Sequence, residues 1–431
     1  MTTVSAPHQP TPFFRWSVLF FISLAMFGNY YVYDSISPLA DILKSQLRFS
    51  DSNIGLLNAI YSFPNIIMVL IGGIIIDRIG TKKASIMFSS LCMFGTLITT
   101  FGGGQLFIMA SGRLIFGLGA ESLIVAITTV LAKWFKGKEL SFAFGINLTV
   151  ARLGSFAALN SPTWAKTLYG SWQTPLLISS TMAFVSVISV LIYVFMDVRA
   201  RRSSDMPKEE KQEKIVFSEI FTFSPSFWYI TLLCVTFYSA IFPFQTFAVK
   251  FFMEHHGLTR SAAGFASSVI TLASMIGTPL FGVFIDRKGK RASLMILGSL
   301  MIIPVYLILA YVPIDPRWAM SVMGVAFSLV PAAMWPSVAL IVEEKKLGTA
   351  YGLMTMIQNI GLTTFNFLIG WANDINTVDG VTDYSLGMWL FSITGFLGLT
   401  FAILLRRRET GPQKIGLELG HDELHKFRKD M

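Results

Sequence analysis

Two charged residues of opposite sign lie inside long apolar runs of the sequence. Glu121 falls in the run 106–131, and Arg152 falls in the next run, 140–162. If both runs are membrane-crossing helices, a rise of about 1.5 Å per residue places both side chains roughly 20 Å deep. A carboxylate and a guanidinium at one depth can hold the ammonium and the carboxylate of a zwitterion. They can equally form a buried structural ion pair, and the residue types leave both interpretations open.

Three further charged residues interrupt apolar runs. Asp34 lies near the outer end of the first run, and Lys250 near the outer end of the seventh. Arg113 begins the pattern Arg-x-x-x-Gly-x-Gly, whose glycines permit close helix packing. An ionised side chain in a membrane span is costly and is therefore a candidate functional residue. Arg113 either ties its helix to a neighbour or takes part in gating or a proton relay.

One short pattern, Gly-x-x-x-Asp-Arg-x-Gly, occurs at residues 73–80 and again at 282–289. Each copy closes one apolar run and opens another, which indicates a duplicated membrane protein of the kind found among secondary transporters. Asp77 and Asp286 can accept hydrogen bonds from a helix N-terminus, and Arg78 and Arg287 follow them directly. The pattern predicts either a gating contact at these turns or plain turn chemistry.

Aromatic and amide side chains are frequent near prolines that interrupt the apolar runs. Proline bends a membrane helix and frees a carbonyl, which is tolerated where a cavity or a neighbouring helix satisfies the freed groups. Side chains that flank prolines, or polar residues such as Gln245, Gln358 and Asn359, are therefore candidates for lining a cavity. The cavity candidates are Tyr30, Tyr61, Phe242, Gln245, Trp335, Gln358 and Asn359.

The elements that must position these residues are membrane-spanning helices. Hydrophobic residues make up 53% of the 431 residues and charged residues only 14%, against about 25% charged in soluble proteins. Mean hydropathy is +0.61. The apolar runs are each near the ~20 residues that cross a bilayer as a helix. The sequence thus predicts an all-α membrane protein with twelve spans, at 16–37, 54–76, 85–101, 106–131, 140–162, 174–196, 227–252, 262–285, 293–312, 318–342, 350–371 and 385–405.

Lysine and arginine predict the orientation of these spans. If the N-terminus is cytoplasmic, the inner loops hold 18 of these residues and the outer loops 5. This bias predicts that both termini are cytoplasmic. The net charge of +9 is then explained by topology, and binding of nucleic acid or of an acidic substrate is not expected from it.

The duplication divides the chain into two six-helix halves, 1–196 and 227–405. The residues between them, 197–226, are polar and charged and form a cytoplasmic linker, and 406–431 form a cytoplasmic tail. The linker is either a solvated connector or a regulatory segment.

Enzymatic chemistry is not expected from the residue patterns. Cys92 and Cys234 lie in different halves, which excludes a disulfide framework, and no spacing typical of metal ligands is present. Phosphate-cradling loops and catalytic triads are absent as patterns, so no cofactor or metal is expected. A membrane receptor or scaffold is the competing class outside transport, although 411–431 is too short for a folded domain.

The repeated turn resembles the signature of the major facilitator superfamily, and Arg113-x-x-x-Gly117-x-Gly119 resembles the motif of its fourth span. One departure is Thr81, where the family usually has arginine. The resemblance implies the major facilitator fold, with twelve helices in two pseudo-symmetric halves, and transport by alternating access.

A closer resemblance is to the lysosomal dipeptide-uniporter branch of this superfamily, called major facilitator superfamily domain-containing protein 1. The matching segments extend from the first to the eleventh span. They are Phe27-Gly-Asn-Tyr-Tyr-Val-Tyr-Asp34, Tyr61-Ser-Phe-Pro-Asn65, Gly119-Ala-Glu121-Ser-Leu, Trp134-Phe-Lys-Gly-Lys-Glu-Leu140, Ala151-Arg152-Leu-Gly-Ser155, Phe242-Pro-Phe244, Met334-Trp-Pro336, Leu347-Gly-Thr-Ala-Tyr-Gly352 and Ile357-Gln-Asn-Ile-Gly361.

This resemblance implies a facilitator for dipeptides in which Glu121 and Arg152 hold the peptide termini and Trp335 is a cavity wall. The Glu-x-x-Glu-Arg cluster of proton-coupled peptide transporters is absent from the first span, so uniport is expected. The alternative is a proton-coupled symporter of dipeptides, or of another small zwitterion or organic acid, with Asp34 or Glu121 as the proton site.

Two departures from the lysosomal proteins shape the expected location and partners. Residues 1–12 contain no acidic dileucine sorting signal, which favours a plasma membrane, and a prokaryotic inner membrane in particular, over the lysosomal membrane. The outer loops are short, which favours a monomer without the glycosylated accessory subunit of that branch.

Overall fold

The computed structural model describes residues 11–135, 140–203, 223–343, 346–412, 414–420 and 423. Nearly all of these residues are helical, because apolar segments in a bilayer must satisfy their backbone polar groups within the segment. The α-helices are α1 (Pro12–Asp34), α2 (Ala40–Leu47), α3 (Asp51–Phe101), α4 (Leu106–Phe135), α5 (Leu140–Leu159), α6 (Ser161–Trp164), α7 (Gln173–Ser203), α8 (Pro225–Glu254), α9 (Arg260–Lys288), α10 (Arg291–Tyr311), α11 (Pro316–Ile341), α12 (Leu347–Ile375) and α13 (Ser385–Glu409).

Three short elements join these helices. Two are 3-10 turns, Ser37–Leu39 and Lys166–Gly170. The third is a hairpin in which β1 (Thr377–Val378) pairs antiparallel with β2 (Val381–Thr382). Asp379 and Gly380 both have positive φ, of 51° and 82°, as a two-residue turn of the type favoured in hairpins requires.

The two copies of the repeated turn share a backbone feature. Gly80 has φ 80° and ψ 156° inside α3, where two helices meet without a loop. Gly289 has φ 67° after the end of α9, and α10 begins two residues later. Glycine takes such positive φ values without the steric cost that other residues carry. The last glycine of each copy therefore marks the point where the chain leaves one long helix for the next.

Ten helices in the described part of the chain are long and apolar enough to cross a membrane. Together they cover ten of the twelve predicted spans. The other two predicted spans, 54–76 and 350–371, are helical within α3 and α12, but they are not among the ten. The count of twelve therefore stays a prediction.

The described residues form two compact units. The first unit contains 11–35, 67–158 and 173–203, which include α1, most of α3, α4, α5 and α7. A Cβ atom on Gly28 would lie 2.5 Å from the Met182 carbonyl oxygen, and one on Gly95 would lie 2.3 Å from the Phe116 nitrogen. Since only glycine permits these approaches, α1 packs backbone to backbone on α7, and α3 does so on α4.

The second unit contains 36–66, 159–172 and the described residues from 223 onward, with α2, the start of α3, α6 and α8–α13. A Cβ atom on Gly370 would lie 2.4 Å from the Asp51 carbonyl oxygen, and one on Gly264 would lie 2.2 Å from that of Leu159. These approaches fix early segments of the chain against α9 and α12. This unit thus combines segments from both sides of the predicted linker, and the predicted domain boundaries stay a prediction.

Candidate functional site

Four of the predicted site residues lie together in the first unit. The Arg152 guanidinium lies over the ring of Tyr30, 5.5 Å from its centroid. Glu121 and Asp34 are close enough to the Tyr30 hydroxyl to interact with it electrostatically. Asp34 in turn lies within electrostatic range of Arg152, beside Ser155. The cluster of Tyr30, Asp34, Glu121 and Arg152 thus has a guanidinium over one aromatic ring and two carboxylates within electrostatic range of its hydroxyl.

Small residues explain why α1, α4 and α5 bring these side chains together. A Cβ atom on Gly154 would lie 2.2 Å from the Phe27 carbonyl oxygen, so α5 touches α1 two residues from Arg152. A Cβ atom on Gly119 would lie 2.5 Å from the Phe88 carbonyl oxygen, which fixes α4 against α3 two residues before Glu121. All four side chains of the cluster are half-buried. Part of each side chain therefore remains accessible to a ligand.

Arg113 occupies a different environment from Arg152. Its side chain is only 2% exposed. Its Nη1 donates to the Val32 carbonyl at 3.2 Å, and its Nη2 donates to the Tyr33 carbonyl at 3.3 Å. These carbonyls belong to the last turn of α1, where helix carbonyls lack intrahelical partners. Arg113 therefore ties α4 to the end of α1, and its predicted part in gating stays a prediction.

Aromatic side chains form a second group, in the second unit. The Trp335 indole donates to the Tyr238 hydroxyl at 3.0 Å, and the Tyr351 hydroxyl donates to the Trp335 carbonyl at 3.0 Å. Tyr351 stacks on Trp335 with ring centroids 6.0 Å apart, and Phe242 stacks on Tyr238 at 5.6 Å. Trp335 and Phe242 were predicted site residues. The interacting tyrosines were not, because nothing in the spacing of the sequence connects helices α8, α11 and α12.

Three of the other four candidates are more deeply placed, whereas Gln358 is half-buried. Tyr61, Gln245 and Asn359 are 5%, 7% and 3% exposed. The Asn359 amide donates to the Thr355 carbonyl of its own helix at 3.0 Å. Gln358 accepts a weak hydrogen bond from the Cys234 thiol at 3.7 Å. Tyr61 and Gln245 lie in the same unit as Trp335, and their predicted contact with a ligand stays a prediction.

At the repeated turns, Arg78 and Arg287 are exposed, whereas the side chains of Asp77 and Asp286 lie outside the described residues. The first turn is tied by another residue. Lys82 lies 3.4 Å from the buried carboxylate of Asp197, near the end of α7. That carboxylate also accepts a hydrogen bond from the Trp134 indole at 3.1 Å.

A buried ion pair that the sequence reasoning missed lies in the second unit. The Lys250 ammonium donates to both Asp51 oxygens, at 2.7 and 2.5 Å, and both side chains are fully buried. Lys44 lies 3.6 Å from Asp51, and Glu254 lies 3.7 Å from Lys250. The Tyr384 hydroxyl donates to Glu254 at 2.5 Å. Lys250 stands out in the sequence because it interrupts an apolar run. Asp51 does not, because it precedes the second predicted span, 54–76.

The sequence profile of the Major Facilitator Superfamily matches residues 22–365 and 244–429. The chain belongs to the major facilitator superfamily. It is 34% identical to the lysosomal dipeptide transporter MFSD1 of Danio rerio, over 84% of this chain and 81% of that protein. It is 34% identical to the Homo sapiens protein of the same name, over 83% and 79% of the two chains.

More distant similarities agree with the superfamily assignment. A probable sulfoacetate transporter, SauU of Cupriavidus necator, is 24% identical over 79% of this chain and 83% of that protein. Among solved structures, the nucleoside transporter NupG superposes with a TM-score of 0.72 at 16% identity, over 90% of this chain and 99% of that one. The protein is thus a multi-pass membrane transporter with the major facilitator fold.

Proposed function

We propose that this transporter moves dipeptides across its membrane by alternating access. The observation that carries the proposal is the cluster of Glu121, Arg152 and Tyr30. It places one acidic and one basic half-buried side chain in a unit of a protein whose relatives are named dipeptide transporters. A dipeptide is a zwitterion with a terminal ammonium and a terminal carboxylate, so it needs one group of each kind.

In this proposal Arg152 binds the carboxylate and Glu121 binds the ammonium of the peptide. A guanidinium is planar and can give a carboxylate two parallel hydrogen bonds. The Tyr30 ring under Arg152 restricts the orientation of that plane and adds a cation–π attraction. Such charge-assisted hydrogen bonds are shorter and stronger than neutral ones, and a shielded site strengthens them further.

A second part of the proposal concerns the aromatic group that contains Trp335. Trp335 is half-buried, and its ring is held by Tyr238 and Tyr351. We propose that Trp335 contacts substrate side chains. A large rigid ring gains contact area on binding without losing much conformational freedom, and it distinguishes poorly between different apolar side chains.

Uniport is the proposed energetic mode, and no covalent chemistry or cofactor is part of it. The competing proposal is proton-coupled symport, and one observation favours it. Asp34 is a second carboxylate beside Arg152, so the site holds one more acid than a zwitterion needs. Such an extra carboxylate could carry the proton that a symporter moves together with its substrate.

We further propose that the protein acts as a monomer in a plasma membrane. The short outer loops of the sequence support a protein that acts without an accessory subunit. The alternative location is the lysosomal membrane, because the vertebrate relatives are named lysosomal dipeptide transporters.

The decisive experiment is uptake of labelled dialanine into proteoliposomes that contain the purified protein, with and without an inward proton gradient. We expect saturable uptake that does not change with the gradient. Uptake that requires the gradient would replace uniport by symport. No uptake by folded protein would overturn the substrate class.

The terminal clamp is tested with altered peptides and variants together. N-acetyl-dialanine lacks the ammonium and dialanine amide lacks the carboxylate, so wild-type protein should transport both at least about tenfold more slowly, as expected when a charge-assisted contact is lost. Glu121→Gln should abolish the penalty for acetylation, and Arg152→Ala should abolish the penalty for amidation. Arg317→Ala, an exposed change, is the control. Wild-type uptake by Glu121→Gln or Arg152→Ala at saturating dialanine would contradict the clamp.

A further inference from the structure

The residues that follow the last helix fold back onto the turn between α9 and α10. Residues 414–420 are called the strap here. The Lys290 amide donates to the Glu418 carbonyl at 3.1 Å, and the Arg291 amide donates to the Leu417 carbonyl at 3.0 Å. The strap thus contacts the turn and the first residue of α10 through two backbone hydrogen bonds.

Glu418 also supplies the N-terminal cap of α10 from 125 residues away. Its carboxylate accepts hydrogen bonds from the Ser293 amide at 2.8 Å and from the Ser293 hydroxyl at 2.6 Å. The residue at the N-cap position, Lys290, has φ 56° and makes no capping bond with its side chain. Helix N-termini need acceptors for their first amides, and a negative charge there is favoured by the helix dipole.

The last residue of α13 forms hydrogen bonds with backbone amides in the strap. Glu409 is 4% exposed. One of its oxygens accepts from the amides of residues 415, 416 and 417 at 3.0 to 3.1 Å. Leu417 is fully buried. The strap is therefore connected to α13 by a carboxylate and to α10 by another carboxylate.

Two glycines permit the close contact between the strap and the turn. A Cβ atom on Gly289 would lie 2.2 Å from the Leu419 carbonyl carbon, and one on Gly420 would lie 2.5 Å from the Arg287 carbonyl oxygen. Because both near atoms belong to the backbone, they have little freedom to move aside. The turn that the strap contacts is the second copy of the repeated Gly-x-x-x-Asp-Arg-x-Gly pattern.

The first unit holds its own copy of the turn in a related way. There the buried Asp197, near the end of α7, lies 3.4 Å from Lys82, the second residue after the turn. Helix α7 contains the last predicted span of the first half, as α13 contains that of the second. In both units, an acidic side chain therefore contacts the turn or the helix that follows it. It comes from the last turns of α7 in the first unit and from beyond the end of α13 in the second.

We propose that Glu418 is a positioning residue for transport, which holds the α9–α10 turn in the geometry that the transport cycle uses. Every described partner of the strap named above belongs to one compact unit. A brake on transport would have to connect parts that move apart, whereas contacts inside one unit make that unit more rigid. Release of the strap should therefore slow the transport cycle and leave substrate affinity unchanged.

The test compares Glu418→Ala and Gly420→Ala in the full-length protein with two matched controls. Gly420→Ala removes no charge. Its added methyl group acts by disturbing the close contact between residue 420 and the Arg287 carbonyl. The controls are Glu343→Ala, an exposed carboxylate in the loop after α11, and Gly348→Ala, where a Cβ atom would meet nothing within 4 Å.

The first measurement is hydrogen–deuterium exchange of residues 289–296 without substrate. Both strap variants should exchange about tenfold faster there, as expected for loss of a charge-assisted hydrogen bond, with melting temperatures near that of the wild type. Unchanged exchange in both variants would overturn the proposal.

The second measurement is the kinetics of dialanine uptake. The maximal rate should fall about threefold or more while KM stays constant. Faster exchange with an unchanged or higher maximal rate would overturn the positioning role. If the wild-type protein does not transport dialanine, the proposed function fails, whereas the exchange result still decides whether the strap holds the turn.

Discussion

Two arginines show how burial decides the role of a residue type. Arg113 is 2% exposed and its donors reach backbone carbonyls of α1. Arg152 is half-buried, lies over an aromatic ring, and has two carboxylates in its vicinity. Both residues stand in apolar sequence, and the burial of each in the folded chain separates a packing role from a candidate binding role.

The pair of Asp51 and Lys250 allows a prediction at the same scale. Removing Asp51 leaves the fully buried Lys250 ammonium with only the more distant Glu254 carboxylate, 3.7 Å away, to compensate it. Breaking a buried pair in this way costs about 3–5 kcal/mol. We therefore expect Asp51→Asn to lower the melting temperature strongly in detergent. The double variant Asp51→Leu with Lys250→Met should recover much of the loss, because it removes both charges.

The control for this prediction is the exposed pair of Asp315 and Arg317, whose side chains are 34% and 61% exposed. Exposed pairs contribute little to stability, so Asp315→Asn should leave the melting temperature almost unchanged. Equal effects of Asp51→Asn and Asp315→Asn would contradict the assignment of a buried, structurally important pair.

At the scale of the helix, close contacts at glycines position the candidate site. The approach of Gly154 to Phe27 sets the distance between α5 and α1, and thereby the distance between Arg152 and Tyr30. A methyl group at position 154 must push the two backbones apart. The resulting shift displaces the guanidinium from the ring and from the acidic residues of the cluster.

We therefore expect Gly154→Ala to raise the KM for dialanine uptake by about tenfold or more, since a shift of about 1 Å can cost that much or more in a positioned site. The matched control is Gly145→Ala in the same helix, where a Cβ atom would meet nothing within 4 Å. Uptake kinetics in proteoliposomes distinguish the two variants. A KM that is unchanged in both would show that this helix contact does not position the site.

At the scale of the whole molecule, the distribution of lysine and arginine predicts on which side of the membrane each loop lies. Helix α11 (Pro316–Ile341) is about 39 Å long at about 1.5 Å per residue, enough to cross a bilayer once. Arg317 lies at its first turn and Lys346 follows its end. The positive-inside bias places Arg317 outside and Lys346 inside.

Cysteine labelling tests this topology. Both natural cysteines are buried, at 2% and 0% exposure, so background labelling should be low. In right-side-out vesicles an impermeant maleimide should label Arg317→Cys directly and Lys346→Cys only after permeabilisation. Labelling of both from the outside would contradict a crossing by α11, and the reverse pattern would invert the predicted orientation.

The sequence by itself determined the fold class and the residues most worth examining. Apolar runs of membrane-crossing length, the repeated turn and the scarcity of charge inside the runs are properties of the chain that need no tertiary contact to be read. Glu121 and Arg152 stood out because an ionised group in a bilayer is costly wherever the chain folds.

Only the tertiary structure decided which residues meet. It paired Asp51 with Lys250 across 199 positions of the chain, and it seated Glu418 on α10 across 125 positions. It also gave Trp335 its tyrosine partners on other helices. Periodicity describes one helix at a time, whereas these contacts depend on how close separate helices come. That distance is set by backbone approaches at single glycines, whose partners the sequence does not reveal.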